Sequence, residues 1–130
     1  MGRFEEALNG YQSALKRNPY YVEAYCNIGV IYKNTGKLKS AVFYYKKALV
    51  INPNFKTARN NMAIALTDLG TQEKEEGHIQ ECIEHYKQAL VYNALYADAY
   101  YNLGVVYGET GQTDKAIVCY ELGIHFNPVM

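Results

Sequence analysis

Apolar side chains recur along this chain at spacings of three and four, the interval that lines up one face of a helix. Near the start the stripe is Phe4, Leu8, Tyr11 and Leu15. Near the end it is Ile117, Tyr120 and Ile124, and Leu49 and Leu90 extend similar stripes between them. The pattern predicts helices over residues 3–18, 22–35, 38–51, 56–76, 78–93, 97–110 and 113–126 and no strand. Gly36 and Gly111 stop helices through left-handed C-terminal caps. Pro19, Pro53 and Pro128 prevent others from continuing.

These elements repeat. Asn18-Pro19, Asn52-Pro53 and Asn127-Pro128 close stretches of one grammar, and Pro19 to Pro53 is 34 residues. Tyr25-Cys26-Asn27-Ile28-Gly29 returns as Tyr100-Tyr101-Asn102-Leu103-Gly104, and Tyr32, Gly36, Ala41 and Tyr45 return as Tyr107, Gly111, Ala116 and Tyr120. A 34-residue period with this residue order is the tetratricopeptide signature, a helix–turn–helix unit that stacks into a solenoid. The expected fold is therefore all-α, a right-handed superhelical array of about seven antiparallel helices. Its segments are a half repeat over 1–21, repeats over 22–55 and 97–130, and an irregular repeat over 56–96. Gly29, Gly104, Ala41, Ala48, Ala89 and Ala116 let helices approach closely, and Tyr25, Tyr32, Tyr45, Tyr86, Tyr100, Tyr107 and Tyr120 fill the space between them.

The repeat over 56–96 carries seven extra residues and has Ala94 in place of proline. Asn60-Asn61-Met62-Ala63-Ile64-Ala65-Leu66 aligns with the other first helices, which puts Gly70 where that helix would end. Seven residues rise about 10.5 Å and rotate the helix face by only about 20°. A continuous helix to about Glu76 accommodates them, with Thr71–Glu76 as projecting extra turns and Gly70 tolerated inside at about 1 kcal/mol. A loop over 70–77 is the other placement.

Composition narrows the function. The apolar fraction of 49% suffices for a core, and the formal net charge of zero gives no general attraction to nucleic acid or an anionic membrane. No apolar run reaches bilayer length, and the acidic Met-Gly-Arg-Phe-Glu-Glu start is not a secretory leader. The three cysteines have neither disulfide-framework nor metal-site spacing, which suits a reduced cytoplasmic or nuclear compartment. Cys26 and Cys119 lack a base or cation that would activate a thiol. His78, Cys82 and His85 share a helix face at zinc-compatible spacing, but Cys82 takes the place of Ala41 and Ala116, so packing is its expected role. Gly108-Glu109-Thr110-Gly111 is a helix end rather than a phosphate cradle. No catalytic group, cofactor or metal is expected, and neither nucleic acid nor membrane is an expected partner.

The whole chain resembles the tetratricopeptide arrays of the nucleocytoplasmic protein O-glycosyltransferases, especially the Spindly type of plants. The resemblance is carried by residues 60–71, by the extra residues after them and by Tyr96-Ala97-Asp98-Ala99 without a preceding proline. Tyr101-Asn102-Leu103-Gly104-Val105 and Tyr107-Gly108-Glu109 extend it. It implies a longer parent with a separate nucleotide-sugar domain that transfers fucose from GDP-fucose, or N-acetylglucosamine, to Ser or Thr of intracellular proteins. Both ends of this chain would then be cuts through a longer array, and this part would recognise protein.

In such arrays the first helices line a concave groove, where the family uses an asparagine ladder to grip an extended peptide backbone. The resemblance assigns that role to Asn27, Asn61 and Asn102, whose carboxamides each offer an acceptor and two donors. Same-face neighbours that would tune specificity are Glu23, Lys33, Asn34, Asn60, Thr67, Asp68, Asp98, Tyr101 and Glu109; of these Asn60, Lys33, Asp68, Tyr101 and Glu109 complete the candidate peptide site. A carboxylate clamp of the chaperone type is disfavoured because Lys33 and Arg59 are its only evident cations. The partners expected are proteins or extended peptides, with self-association through the bare faces of the terminal helices. The other reading is a non-catalytic scaffold for dimerisation or partner binding.

Overall fold

The computed structural model describes residues 2–128; Met1, Val129 and Met130, at the ends of the first and last predicted segments, lie outside the described residues. Seven α-helices and no strand occur among the described residues: α1 (Gly2–Arg17), α2 (Val22–Asn34), α3 (Leu38–Ile51), α4 (Lys56–Glu75), α5 (Ile79–Tyr92), α6 (Ala97–Glu109) and α7 (Thr113–Phe126). Each agrees with its predicted range to within one residue at either end. The chain forms two compact units, and the division falls within α4, between Ala65 and Leu66.

Local chemistry explains why the helix ends were legible. Gly36, Gly77 and Gly111 have φ of 82°, 85° and 81°, a region that costs glycine no steric penalty. Each closes the same cap. The N–H of Lys37, His78 and Gln112 donates to the carbonyl of Tyr32, Glu73 and Tyr107, each at 2.8 Å. At the opposite ends of the hairpins the asparagine, not the proline, makes the turn. The Oδ1 atoms of Asn18, Asn52 and Asn93 accept from the backbone N–H two residues on, at 3.1, 3.2 and 3.1 Å. Asn93 keeps this bond, so Ala94 can stand where the other repeats have proline.

Within the first unit α2 packs chiefly on α3, and α1 rests on α2. Ala24, Ile28, Ala41, Tyr45 and Ala48 are fully buried there. Gly29 makes the crossing possible, since a Cβ on it would lie 2.5 Å from Tyr45 Cε1. In the second unit α6 packs on α7 and on α5. Cys82, Ile83, Tyr86, Leu103, Val106, Tyr107, Ala116 and Cys119 form one buried cluster. Gly104 approaches Tyr120 in the same manner, with 2.8 Å from its would-be Cβ to Cε1. Tyr120 is therefore held inside its own hairpin rather than bare. Ile117 and Ile124 are exposed, as is Phe4, and no residue of α1 is buried.

The structure moves the seven extra residues. α4 has 20 residues against 13 in α2 and α6. A Cβ on Gly70 would lie 2.7 Å from Tyr86 Cε1, so Gly70 is the third crossing glycine, not a tolerated interior one. Gly70, Gly77 and Tyr86 reproduce the intervals of Gly29, Gly36 and Tyr45. Counted from α5, Thr71–Glu75 is the ordinary end of a first helix, and the additional turns precede Gly70. The alternative of a loop over 70–77 is replaced by helix through Glu75, a turn at Glu76 and the cap at Gly77.

The two buried tyrosines that face crossing glycines differ at their hydroxyls. Tyr86 Oη lies 2.8 Å from Thr71 Oγ1, whereas Tyr45 Oη is buried with no hydrogen-bond partner. An unmet buried hydroxyl costs more than a missing one. Tyr45→Phe is expected to raise stability by about 1 kcal/mol and Tyr86→Phe to lower it by about 1 kcal/mol. Denaturant titration of both variants checks the opposite signs.

Candidate peptide-binding site

The candidate residues lie on first helices of both units, and each unit presents its own group. In the first unit Asn27 and Lys33 are half-buried on α2, and Asn60 and Asn61 sit on α4, exposed and half-buried respectively. Asn61 Nδ2 donates to Cys26 Sγ at 3.7 Å. No described residue hydrogen-bonds the Asn27 carboxamide, so its donors and acceptor are available. No described carboxylate pairs with Lys33.

In the second unit Asn102 is half-buried on α6, and no described residue hydrogen-bonds its carboxamide. Asp68 is exposed on α4. Burial first, then the charge of Asp98 and its hydrogen bond, then the charge of Asp68, push the Tyr96 phenol far above its ordinary range. Glu109 pairs with Lys74 Nζ at 3.1 Å on a largely exposed surface. The Tyr101 ring packs towards α7: a Cβ on Gly123 would come within 2.9 Å of it, and Tyr120 lies 6.2 Å away. Most of that ring's surface is thus spent within its own hairpin.

The register of α4 alters which residues are equivalent. Asn27 and Asn102 stand two places before Gly29 and Gly104. Asp68 stands two places before Gly70, while Asn61 stands nine before it. Asn61 keeps the 34-residue spacing from Asn27, but Asp68 holds the same place in its helical hairpin. The signal was present in the sequence, since sixteen residues separate Gly29 from Tyr45, Gly70 from Tyr86 and Gly104 from Tyr120.

The remaining candidate chemistry resolves into packing. Burial pushes the Cys26, Cys82 and Cys119 thiols up, which disfavours the thiolate that nucleophilic or metal chemistry needs. Cys82 is fully buried and His78 exposed, while His85 Nδ1 is engaged by Glu73 Oε1 at 2.5 Å. No group of three or more His, Cys, Asp or Glu is placed to hold a metal among the described residues. No helix among them is long and apolar enough to cross a membrane.

Helical hairpins with glycine–tyrosine crossings and polar residues on their first helices define an all-α helical-repeat protein. The chain belongs to the tetratricopeptide repeat family, whose "Tetratricopeptide repeat" description matches residues 22–55 and 97–128. A second, "TPR repeat", matches 1–36 and 70–111. Together they leave 56–69 unmatched between repeats, the stretch that holds the extra turns, besides the last two residues. The chain is similar to the tetratricopeptide region of Spindly-type proteins. It is 57% identical to the probable UDP-N-acetylglucosamine–peptide N-acetylglucosaminyltransferase SPINDLY of Oryza sativa subsp. japonica, over 55% of this chain and 11% of that protein. It is 36% identical to the Photosystem I assembly protein Ycf3 of Cyanophora paradoxa, over 55% of this chain and 43% of that one. A crystal structure of MamA matches with a TM-score of 0.67 and 32% identity, over 98% of this chain and 70% of that chain. The match thus spans about a tenth of the rice relative and under half of the algal one.

Proposed function

We propose that this chain is the protein-recognition part of a Spindly-like Ser/Thr protein O-glycosyltransferase of the cytoplasm and nucleus, and that it holds extended segments of its protein substrates. The observation that carries the reading is the pair Asn27 and Asn102. Both are half-buried at one register of a first helix, and neither carboxamide is used inside the fold. A carboxamide in that state can meet a peptide N–H and C=O together, which makes capture tolerant of sequence. Asn61 shares its Nδ2 with Cys26 Sγ, a weak acceptor, and keeps its oxygen for a ligand. Asp68, at the equivalent place in its hairpin, adds a charged rung suited to a basic or hydroxyl-bearing side chain. The similarity to SPINDLY supports the transferase context, with sugar transfer, whether of fucose or N-acetylglucosamine, assigned to a separate domain.

The test is Asn27→Ala, Asn61→Ala and Asn102→Ala combined in the full-length protein. Each lost pairing is expected to weaken substrate capture by about 0.5–1.5 kcal/mol, with melting unchanged. Substrate binding and glycosylation are the readouts. Unchanged values for both would return these residues to structural status. The similarity to an assembly protein supports a second reading, a scaffold that feeds no active site. In that case the triple variant loses partner binding, and glycosylation stays as it was.

A further inference from the structure

The overall charge of zero conceals a division. Residues 1–65 hold ten Lys and Arg against three Asp and Glu, a formal charge of +7. Residues 66–130 hold three against ten, a formal charge of −7. In the basic unit α3 carries three of the ten cations, and its fourteen residues include no Asp or Glu. Lys39, Phe43, Lys46, Lys47 and Val50 fall at one-face spacing along it and are all exposed. Phe43 is 53% exposed and Val50 is 82% exposed, large values for apolar residues on a helix otherwise packed by Tyr45, Ala48 and Leu49. The Lys47 ammonium stands 4.9 Å from the Phe43 ring centroid. The ring also meets Tyr44 edge-on, with centroids 5.2 Å apart. No described carboxylate lies within ion-pair distance of Lys39, Lys46 or Lys47.

We propose that this face of α3 is a docking site for an acidic amphipathic helix of a partner protein, separate from the first-helix asparagines. The stripe runs about 16 Å along the helix axis, three turns of an α-helix. A partner helix laid beside it meets lysines and apolar side chains in alternation, so carboxylates with an apolar residue one turn away satisfy both. The ammonium over Phe43 joins the two chemistries at one point, because a carboxylate there pairs with Lys47 while its neighbouring apolar group covers the ring. The chemistry favours a short protein segment over a nucleic acid or lipid surface. A phosphate backbone has no apolar groups to cover the exposed Phe43 and Val50 side chains, whereas an amphipathic segment supplies carboxylates and apolar side chains together. The site does not depend on the parent being a glycosyltransferase.

The probe is a fluorescent helix-forming peptide of about twelve residues with Glu on one face and two Leu one turn apart among them. Its anisotropy is measured against the whole chain at low and high ionic strength. The peptide is expected to bind and to weaken with salt. Lys39→Glu, Lys46→Glu and Lys47→Glu together are expected to weaken it at least about tenfold, and Phe43→Ala about threefold. Lys87→Glu on α5 leaves it unchanged. If the triple reversal fails to fold by circular dichroism, Lys39→Gln, Lys46→Gln and Lys47→Gln give the same comparison. Absence of binding overturns the proposal, as does equal binding by the lysine variants or by a Glu-rich peptide lacking Leu. Tighter binding of a single-stranded oligonucleotide or of phosphatidylserine vesicles through the same lysines also overturns it. So does a mass by light scattering that rises with concentration and falls back in the lysine variant, which makes a second copy the occupant.

Discussion

Gly29→Ala is expected to destabilise the protein by about 2 kcal/mol, although alanine is the better helix former by about 1 kcal/mol. The added Cβ would sit 2.5 Å from Cε1, 2.7 Å from Cδ1 and 3.0 Å from Cζ of Tyr45. No ring accepts such contacts without moving. Tyr45 has no solvent-exposed surface and so no open space to move into. The strain therefore spreads to the α2–α3 crossing itself. Gly104→Ala makes a similar clash with Tyr120, at 2.8 Å, but that ring is half-buried and can swing outwards, so the loss should be about 1 kcal/mol. Gly10 is the control: a Cβ there meets nothing within 4 Å, and Gly10→Ala should stabilise by about 0.5–1 kcal/mol. Thermal and denaturant unfolding of the three variants tests the order. A Gly29→Ala protein as stable as the parent would mean that the crossing is looser than these distances imply.

Stability should also fall steeply in alkali. Burial first, then the neighbouring Cys26, pushes the Tyr45 phenol well above its ordinary value. Burial dominates at Tyr86 as well, opposed by the hydrogen bond to Thr71, and its pKa is pushed up to about 12 from 10.0. Below pH 10 these phenols are protonated in both folded and unfolded chains, and their contribution is fully present. Between about pH 10 and 12 the unfolded chain ionises while the folded one does not, so the unfolded chain holds fewer protons and stability declines as pH rises. For Tyr86, which is 2% exposed, the interval from 10.0 to about 12 corresponds to a loss of about 3 kcal/mol. Tyr45 adds to it in the same direction. Denaturant midpoints compared at about pH 8 and about pH 11 read the effect, and Tyr86→Phe should flatten it. A midpoint that does not move across that range would contradict the protonated, buried state of these rings.

The helices and their ends were written locally. Left-handed glycines, asparagine side chains bonding two residues ahead, and apolar stripes at three and four act within a single turn, so each can be read without its surroundings. The candidate site was legible only in part. Asn27 and Asn102 follow from the repeat, but nothing local says that Tyr101 spends its ring on Gly123 or that Lys74 reaches Glu109. Those contacts join residues on different helices, and helix periodicity carries no information about them.

The insertion in α4 shows the same division at its clearest. By itself the sequence determined that seven residues were added and that the helix could continue, because seven residues return the apolar face to nearly the same direction. For that very reason the stripe did not determine where the extra turns lie, since it looks alike whether they precede or follow Gly70; the sixteen-residue interval from Gly70 to Tyr86 pointed to the answer, but nothing local says that this interval is a contact. The tertiary structure decided it through one close approach. Only a residue without a side chain can stand 2.7 Å, measured from its absent Cβ, from the Tyr86 ring, and α5 places that ring against Gly70. That contact sets the register, makes Asp68 the counterpart of Asn27 and Asn102 in its hairpin, and leaves Asn61 to bond Cys26.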